Sequence, residues 1–333
     1  LEINGKKIFV KGSNWVPPEM CKAQVKETAV RELLTLLKEA NMNALRMWGG
    51  GYIHPDFFYD ICDELGILVW QEFPLACSCY SDDDEYLKIL KQESTAIIEN
   101  LRVHPSIMLW SGGNELFNDW SRMSLQSKAL RLLETQTYLL DEDVPYIYTS
   151  PQYGVVHGPY DMIDIHGVEG LTTIVKNEGT AFTEFACGGP SQWEYLESFM
   201  SKEAMEKPFV DNMWVKRHAF IKEFEKERWL DIKGIKQLSG CSDDPKEIVA
   251  VGNEIQCIMY QCMFESVRRK WPYTSMCMNW CYNEPWPTAA GNGLVNYPAV
   301  KRPCYYAIQT ALRDKKFSLE FPKVSWKPDE TME

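Results

Sequence analysis

Asn43-Ala44-Leu45-Arg46-Met47-Trp48 is an apolar run broken by a single arginine, and Gly49-Gly50-Gly51 follows it at once. Pro55 to Leu65 comes next, then Gly66, then Ile67-Leu68-Val69-Trp70-Gln71-Glu72-Phe73. The two short runs read as buried strands, and the segment between them as a short helix that Gly66 stops. Strand, helix and strand within about thirty residues make a unit whose two strands lie parallel, since the helix carries the chain back to its starting edge.

The same alternation extends outward in both directions. Ile3 to Val10 reads as a hairpin around Asn4-Gly5, with Ile8 to Asn14 running on as a strand. Val25 to Ala40 is a helix with Leu33, Leu34, Leu36 and Leu37 in register. Downstream, Ser106–Trp110, Pro145–Ser150, Met162–His166, Ala181–Phe185 and Ser275–Trp280 read as further strands. Asp84–Arg102, Ser124–Leu140 and Tyr305–Arg313 read as helices, and Gln192–Arg269 as a long, mainly helical stretch. Eight strands alternating with helices imply a parallel sheet, and eight such units close into a barrel of typically about 250 residues. The chain has 333. The expected fold is therefore α/β, a (β/α)8 TIM barrel over residues 1–313, with a large helical insertion after strand seven at 186–270. Residues 314–333 then read as a linker or the start of a further domain. No GxGxxG follows the first strand, which counts against a doubly wound open sheet.

Composition narrows the ligand. There are 35 basic and 47 acidic residues, a net charge of −12, which disfavours nucleic acid as a partner. No apolar run approaches the roughly 18 residues of a membrane helix. Twelve Trp and 16 Tyr offer rings with a polar handle, suited to flat hydroxylated ligands and equally to a large aromatic core. The 11 Cys form no framework, and Cys77/Cys79, Cys257/Cys262 and Cys277/Cys281 lack zinc-site spacing. Free thiols in that number point to a reducing compartment, hence a cytoplasmic expectation. A periplasmic or secreted location stays open should a leader have been removed, and the start at Leu1 suggests a piece of a longer protein.

In such a barrel the chemistry lies at the C-terminal strand ends. The polar residues there are Asn14 with Trp15, Arg46 with Trp48, Glu72, Asn114 with Glu115, Gln152, His166, Glu184, and Trp280 with Asn283 and Glu284. They contain no Ser/His/Asp set and no histidine pair with metal spacing. Glu115, at the end of Leu109-Trp110-Ser111-Gly112-Gly113-Asn114, and Glu184, inside Phe182-Thr183-Glu184-Phe185, are ionisable residues in apolar settings. Each alone reads as readily as a helix cap or a partner for Arg46. Strands four and seven face each other across a barrel mouth, and two facing carboxyls are the equipment of glycoside hydrolysis. That chemistry requires neither metal nor organic cofactor, and none is expected.

At this point the sequence resembles the catalytic barrel of glycoside hydrolase family 2, in the branch holding β-mannosidases and exo-β-glucosaminidases. The matching text is Lys11-Gly12-Ser13-Asn14-Trp15-Val16-Pro17, Asn43 to Gly51, Gly66 to Phe73, Trp110 to Glu115, Thr183-Glu184-Phe185 and Asn279 to Pro287. The resemblance covers about residues 1–313 and implies a retaining exo-β-glycosidase acting on terminal β-linked sugars, β-mannosides first. β-Galactosides, β-glucosaminides and β-glucuronides are its alternatives, and a non-catalytic carbohydrate-binding barrel the alternative of another class. It implies Glu115 as acid/base, Glu184 as nucleophile, Asn114 on the sugar 2-hydroxyl and Arg46 on the nucleophile. Trp48 and Trp280 would line the sugar subsite, with Trp120 and His166 as further candidates. It also implies a glycoside or oligosaccharide as partner and β-sandwich domains flanking the barrel, and it allows a homodimer. One departure stands out: the family's strand-six Asp-x-His-Tyr-Trp reads Asp164-Ile165-His166-Gly167-Val168 here, leaving Tyr153 or Tyr160 to supply the missing phenol. For a glucosaminide, Glu169 or Glu72 would be the acid facing the amine.

Overall fold

The computed structural model describes residues 2–163, 170–219, 229–319 and 329. The eight barrel strands are β1 (Val10–Trp15), β2 (Ala44–Met47), β3 (Leu68–Glu72), β4 (Ile107–Ser111), β5 (Tyr146–Ile147), β6 (Val155–His157), β7 (Ala181–Glu184) and β8 (Met276–Asn279). All pair in parallel in the order β5-β4-β3-β2-β1-β8-β7-β6, the cyclic order of a TIM barrel read from a seam between β5 and β6. The expected hairpin is present as Glu2–Ile3 against Lys6–Lys7.

Helices α1 (Glu27–Glu39), α2 (Asp56–Leu65), α3 (Asp84–Leu101) and α4 (Lys128–Leu140) follow the first four strands. Each lays an apolar stripe on the sheet, as α1 does with Val30, Leu33, Leu34 and Leu37. Gly66 ends α2 in the left-handed conformation with φ +64°, the role its position predicts. The Asp83 side chain caps α3 by accepting from Tyr86 N. Inside the barrel a smaller cluster of Val10, Ala44, Trp70, Met108, Leu109, Met276 and Met278 fills the lumen below the polar mouth.

One strand differs from expectation. The sixth is Val155–His157, paired with β7, whereas Met162 and Ile163 lie outside any strand and 164–169, His166 and Glu169 included, lie outside the described residues. The true strand is three residues long and only half-buried, so its hydropathy signal is weaker than that of the apolar run that follows it.

The insertion after β7 carries α6 (Trp193–Phe199), α7 (Lys202–Glu206), α8 (Asn212–Lys216), α9 (Ile232–Ser239) and the 25-residue α10 (Pro245–Arg269), with α5 (Gly170–Lys176) preceding β7 and α11 (Pro303–Ala311) closing the described barrel. From α10, Gln256 Nε2 donates to the carbonyls of Cys187 (2.7 Å) and Gly291 (3.0 Å). The Tyr260 hydroxyl donates to those of Asn292 (2.7 Å) and Trp280 (3.3 Å). Among the described residues no helix is long and apolar enough to cross a membrane.

Candidate active site

Arg46 organises the mouth of the barrel. Its side chain is wholly buried, and all five guanidinium hydrogens find acceptors. Nε and Nη2 donate to Glu72 Oε1 at 2.9 and 2.7 Å. Nη2 also donates to Asn114 Oδ1 at 2.6 Å, and Nη1 to Asn14 Oδ1 and Glu184 Oε1, both at 2.5 Å. Arg46 thus ties together residues from β1, β2, β3, β7 and the turn after β4. Burial opposes its charge, but Glu72 and Glu184 outweigh that and raise its pKa. Glu72 is itself pushed up by burial, against the pull of Arg46 and a bond from Gly49 N at 2.8 Å. That double commitment removes Glu72 from contact with substrate, so the amine-facing role considered for it does not hold.

Glu184, buried at the end of β7, receives the Tyr160 hydroxyl on Oε2 at 2.8 Å. Tyr160 therefore supplies the missing phenol, while Tyr153 is fully exposed. Glu115 follows Gly112-Gly113-Asn114 on a turn that a larger residue would not make. At Gly113 φ is +151°, and a Cβ there would stand 2.2 Å from the Leu75 carbonyl oxygen. Glu115 itself has φ +53° and is anchored by its N–H to Ser150 O at 2.7 Å.

His157 is the residue that sequence reasoning missed. It ends β6, and its Nδ1 lies 3.1 Å from Glu115 Oε1 and 3.5 Å from Glu184 Oε2. Its Nε2 meets Ser150 Oγ at 2.9 Å, which orients the ring. The signal was Val155-Val156 directly before a histidine, a short β-branched run ending on a polar residue. Burial pushes Glu115 up, but the hydrogen bond and charge of His157, with help from Cys77 and Arg46, bring its pKa below the ordinary value. One ligand atom each of Glu115, His157 and Glu184 lie within 4.8 Å of one another. This trio has the donor atoms to take a cation, as do Asp60, Asp63 and His104 on the outer wall. At the mouth such an ion would contend with the guanidinium for Glu184.

Around the pair lies a cleft of about 300 Å³ walled by Trp48, Cys77, Asn114, Trp120, Tyr160, Trp229 and Trp280. Trp48 and Trp280 meet edge to face, with ring centroids 5.2 Å apart. Trp120 stands exposed at the rim. Trp48, Trp229, Trp280 and Asn292 also border a second, more apolar chamber of about 520 Å³, lined further by Trp286 and Glu284. Burial pushes Glu284 up to about 7 against the opposing charge of Arg302. The indole N–H of Trp48 and of Trp229 and both polar atoms of the Asn292 amide are buried without a hydrogen-bond partner among the described residues.

Two carboxylates with oxygens within 4.8 Å of each other thus stand at the strand ends of a barrel, one of them gripped by an arginine. Residues 1–151 match the family described as "Glycosyl hydrolases family 2, TIM barrel domain". The chain carries a family 2 glycoside hydrolase barrel. This family 2 barrel is 33% identical over 246 residues to the β-mannosidase of Bos taurus, which aligns over 66% of the chain and 27% of the relative. It superposes on the β-D-mannosidase of Dictyoglomus thermophilum with a TM-score of 0.82 at 30% identity, covering 94% of this chain and 40% of that one. It also shares its fold with the exo-chitosanase of Amycolatopsis orientalis, with a TM-score of 0.74 at 20% identity and coverage of 93% and 38%. The family 2 chain thus spans well under half the length of these relatives.

Proposed function

We propose that this barrel is the catalytic domain of a retaining exo-β-glycosidase whose substrates are glycosides bearing terminal β-mannosyl groups. The observation that carries the reading is the closeness of the two carboxylates, with an oxygen of Glu115 and one of Glu184 within 4.8 Å. Retaining glycosidases hold their carboxyl groups roughly 5–5.5 Å apart, whereas inverting ones need roughly 6.5–9.5 Å to admit a water. The preference for mannose rests on the two β-mannosidase relatives.

In this reading Glu184 attacks C1 as a carboxylate. Arg46 on Oε1 and Tyr160 on Oε2 hydrogen-bond it and aim it. Glu115 gives its proton to the departing glycosidic oxygen, then takes one from the water that hydrolyses the glycosyl ester. Asn114, its Oδ1 taken by Arg46 and one Nδ2 hydrogen by Cys77, has its second amide hydrogen to offer the sugar 2-hydroxyl. Trp48 and Trp280 form the apolar wall for the ring, with Trp120 at the leaving-group rim. The eleven unpaired thiols support a reducing, cytoplasmic setting.

Hydrolysis of an aryl β-mannoside, followed by NMR from the first turnover, should release β-mannose before mutarotation. Glu184→Ala should abolish turnover, and azide should rescue it as the α-mannosyl azide. First release of α-mannose, or unchanged turnover in that variant, refutes the assignment.

A further inference from the structure

The acid/base carboxyl is held from both sides, and only one of the two holders is the histidine. Oε1 of Glu115 meets His157, while Oε2 faces the thiol of Cys77, with Sγ 3.5 Å away. The same sulfur accepts from Asn114 Nδ2 at 3.2 Å. That amide cannot be turned around, because its Oδ1 accepts from Arg46 at 2.6 Å. The sulfur therefore accepts a hydrogen bond from Asn114 and has its one S–H left for Glu115. The backbone fixes the arrangement as well. Cys77 N donates to the Asn114 carbonyl and Asn114 N to that of Leu75, both at 2.9 Å, and Cys77 sits at φ +49°. Cys77 lines the cleft on the side of Glu115.

We propose that Cys77 is a positioning residue for Glu115: its thiol, oriented by the Arg46–Asn114 relay, steers Oε2 toward the glycosidic oxygen that must be protonated. This rests on the reading of Glu115 as the acid/base. Burial pushes the thiol up to about 11, so it keeps its hydrogen at neutral pH. A thiol is a weak, long-reaching donor, which guides the carboxyl without trapping the proton that Glu115 has to give up.

The test is kcat/KM for two aryl β-mannosides, one with a dinitrophenyl leaving group that departs unprotonated and one with a methylphenyl group that needs the acid. Cys77→Ala should lose about five- to tenfold on the methylphenyl substrate, the worth of one hydrogen bond, and less than about twofold on the other. Its alkaline limb should move to higher pH, and Cys77→Ser, which keeps a donor, should restore both. Equal losses on the two substrates would mark a merely structural residue and overturn the proposal, as would no loss at all. Glu115→Ala is the control: if it spares neither substrate, the acid/base reading itself fails, independently of Cys77.

Discussion

Replacing Arg46 by Lys removes the planar fork while retaining the positive charge. An ammonium has three donors from one point, against five bonds that Arg46 makes to four different side chains. It cannot reach Glu72 and Glu184 together, so one buried carboxylate loses its partner. Each charge-assisted bond is worth about 1.5–3 kcal/mol, and breaking a buried pair from one side costs about 3–5 kcal/mol. If the ammonium stays with Glu72, the loss falls on Glu184, the proposed nucleophile, and about 3 kcal/mol corresponds to roughly a hundredfold drop in kcat/KM. If it moves to Glu184, the loss falls on stability. A four-member set separates the two: wild type, Arg46→Lys, Glu72→Gln and the double variant, each measured for kcat/KM on an aryl β-mannoside and for denaturant midpoint. Glu72→Gln in the Arg46→Lys background leaves Glu184 as the one carboxylate of the cluster for the ammonium, so it should recover rate in the first case and stability in the second. An Arg46→Lys enzyme within threefold of wild type in both measurements would refute the idea that the fork is what holds the nucleophile.

Other outcomes follow from the same geometry. Because His157 holds Glu115 below its ordinary pKa, and an acid must carry its proton, kcat/KM should fall as pH rises from an acidic optimum. His157→Phe removes the donor that favours the carboxylate, so the alkaline limb of the pH profile should move up by about one unit, and a downward move would contradict the assigned cause. Trp280→Ala should raise KM about tenfold by removing one wall of the cleft while leaving the pH profile in place, which steady-state kinetics would show. Gly113→Val should lose at least about 2 kcal/mol in a denaturant titration, since its Cβ would meet the Leu75 carbonyl at a backbone angle valine rarely adopts.

Much of this site could be read from strand ends alone. Asn14, Arg46, Glu72 and Glu184 lie at or next to the ends of their strands and Asn114 and Glu115 in the turn just past β4, and the fold brings all six together. Position predicted that they would meet, but not what each would do there. Glu72, one of two candidates for an amine-facing acid, is instead the counter-charge that lets Arg46 be buried. The failure at strand six has the same origin as the success elsewhere. Val155–His157 is short and half-buried, so hydrophobic patterning pointed to the more apolar Met162–His166, and His157 and its role went unread. Tyr160 could be named only as one of two options, because its placement depends on the loop that follows β6 rather than on any periodicity. The chamber beside the cleft had no sequence signal, since its lining comes from segments as distant as Val16 and Trp286.

The helix α10 has a bearing on how this barrel can be altered. Through Gln256 and Tyr260 it holds the carbonyls of Trp280, Gly291 and Asn292, the segment that separates the cleft from the neighbouring chamber. Neither residue touches Glu115 or Glu184 in the contacts described. Substitutions along the face of α10 that carries them would shift the far wall of the cleft while Glu115 and Glu184 keep their spacing. The insertion is thus the place where the shape of the cleft can drift under selection, or be engineered, separately from the carboxyl pair.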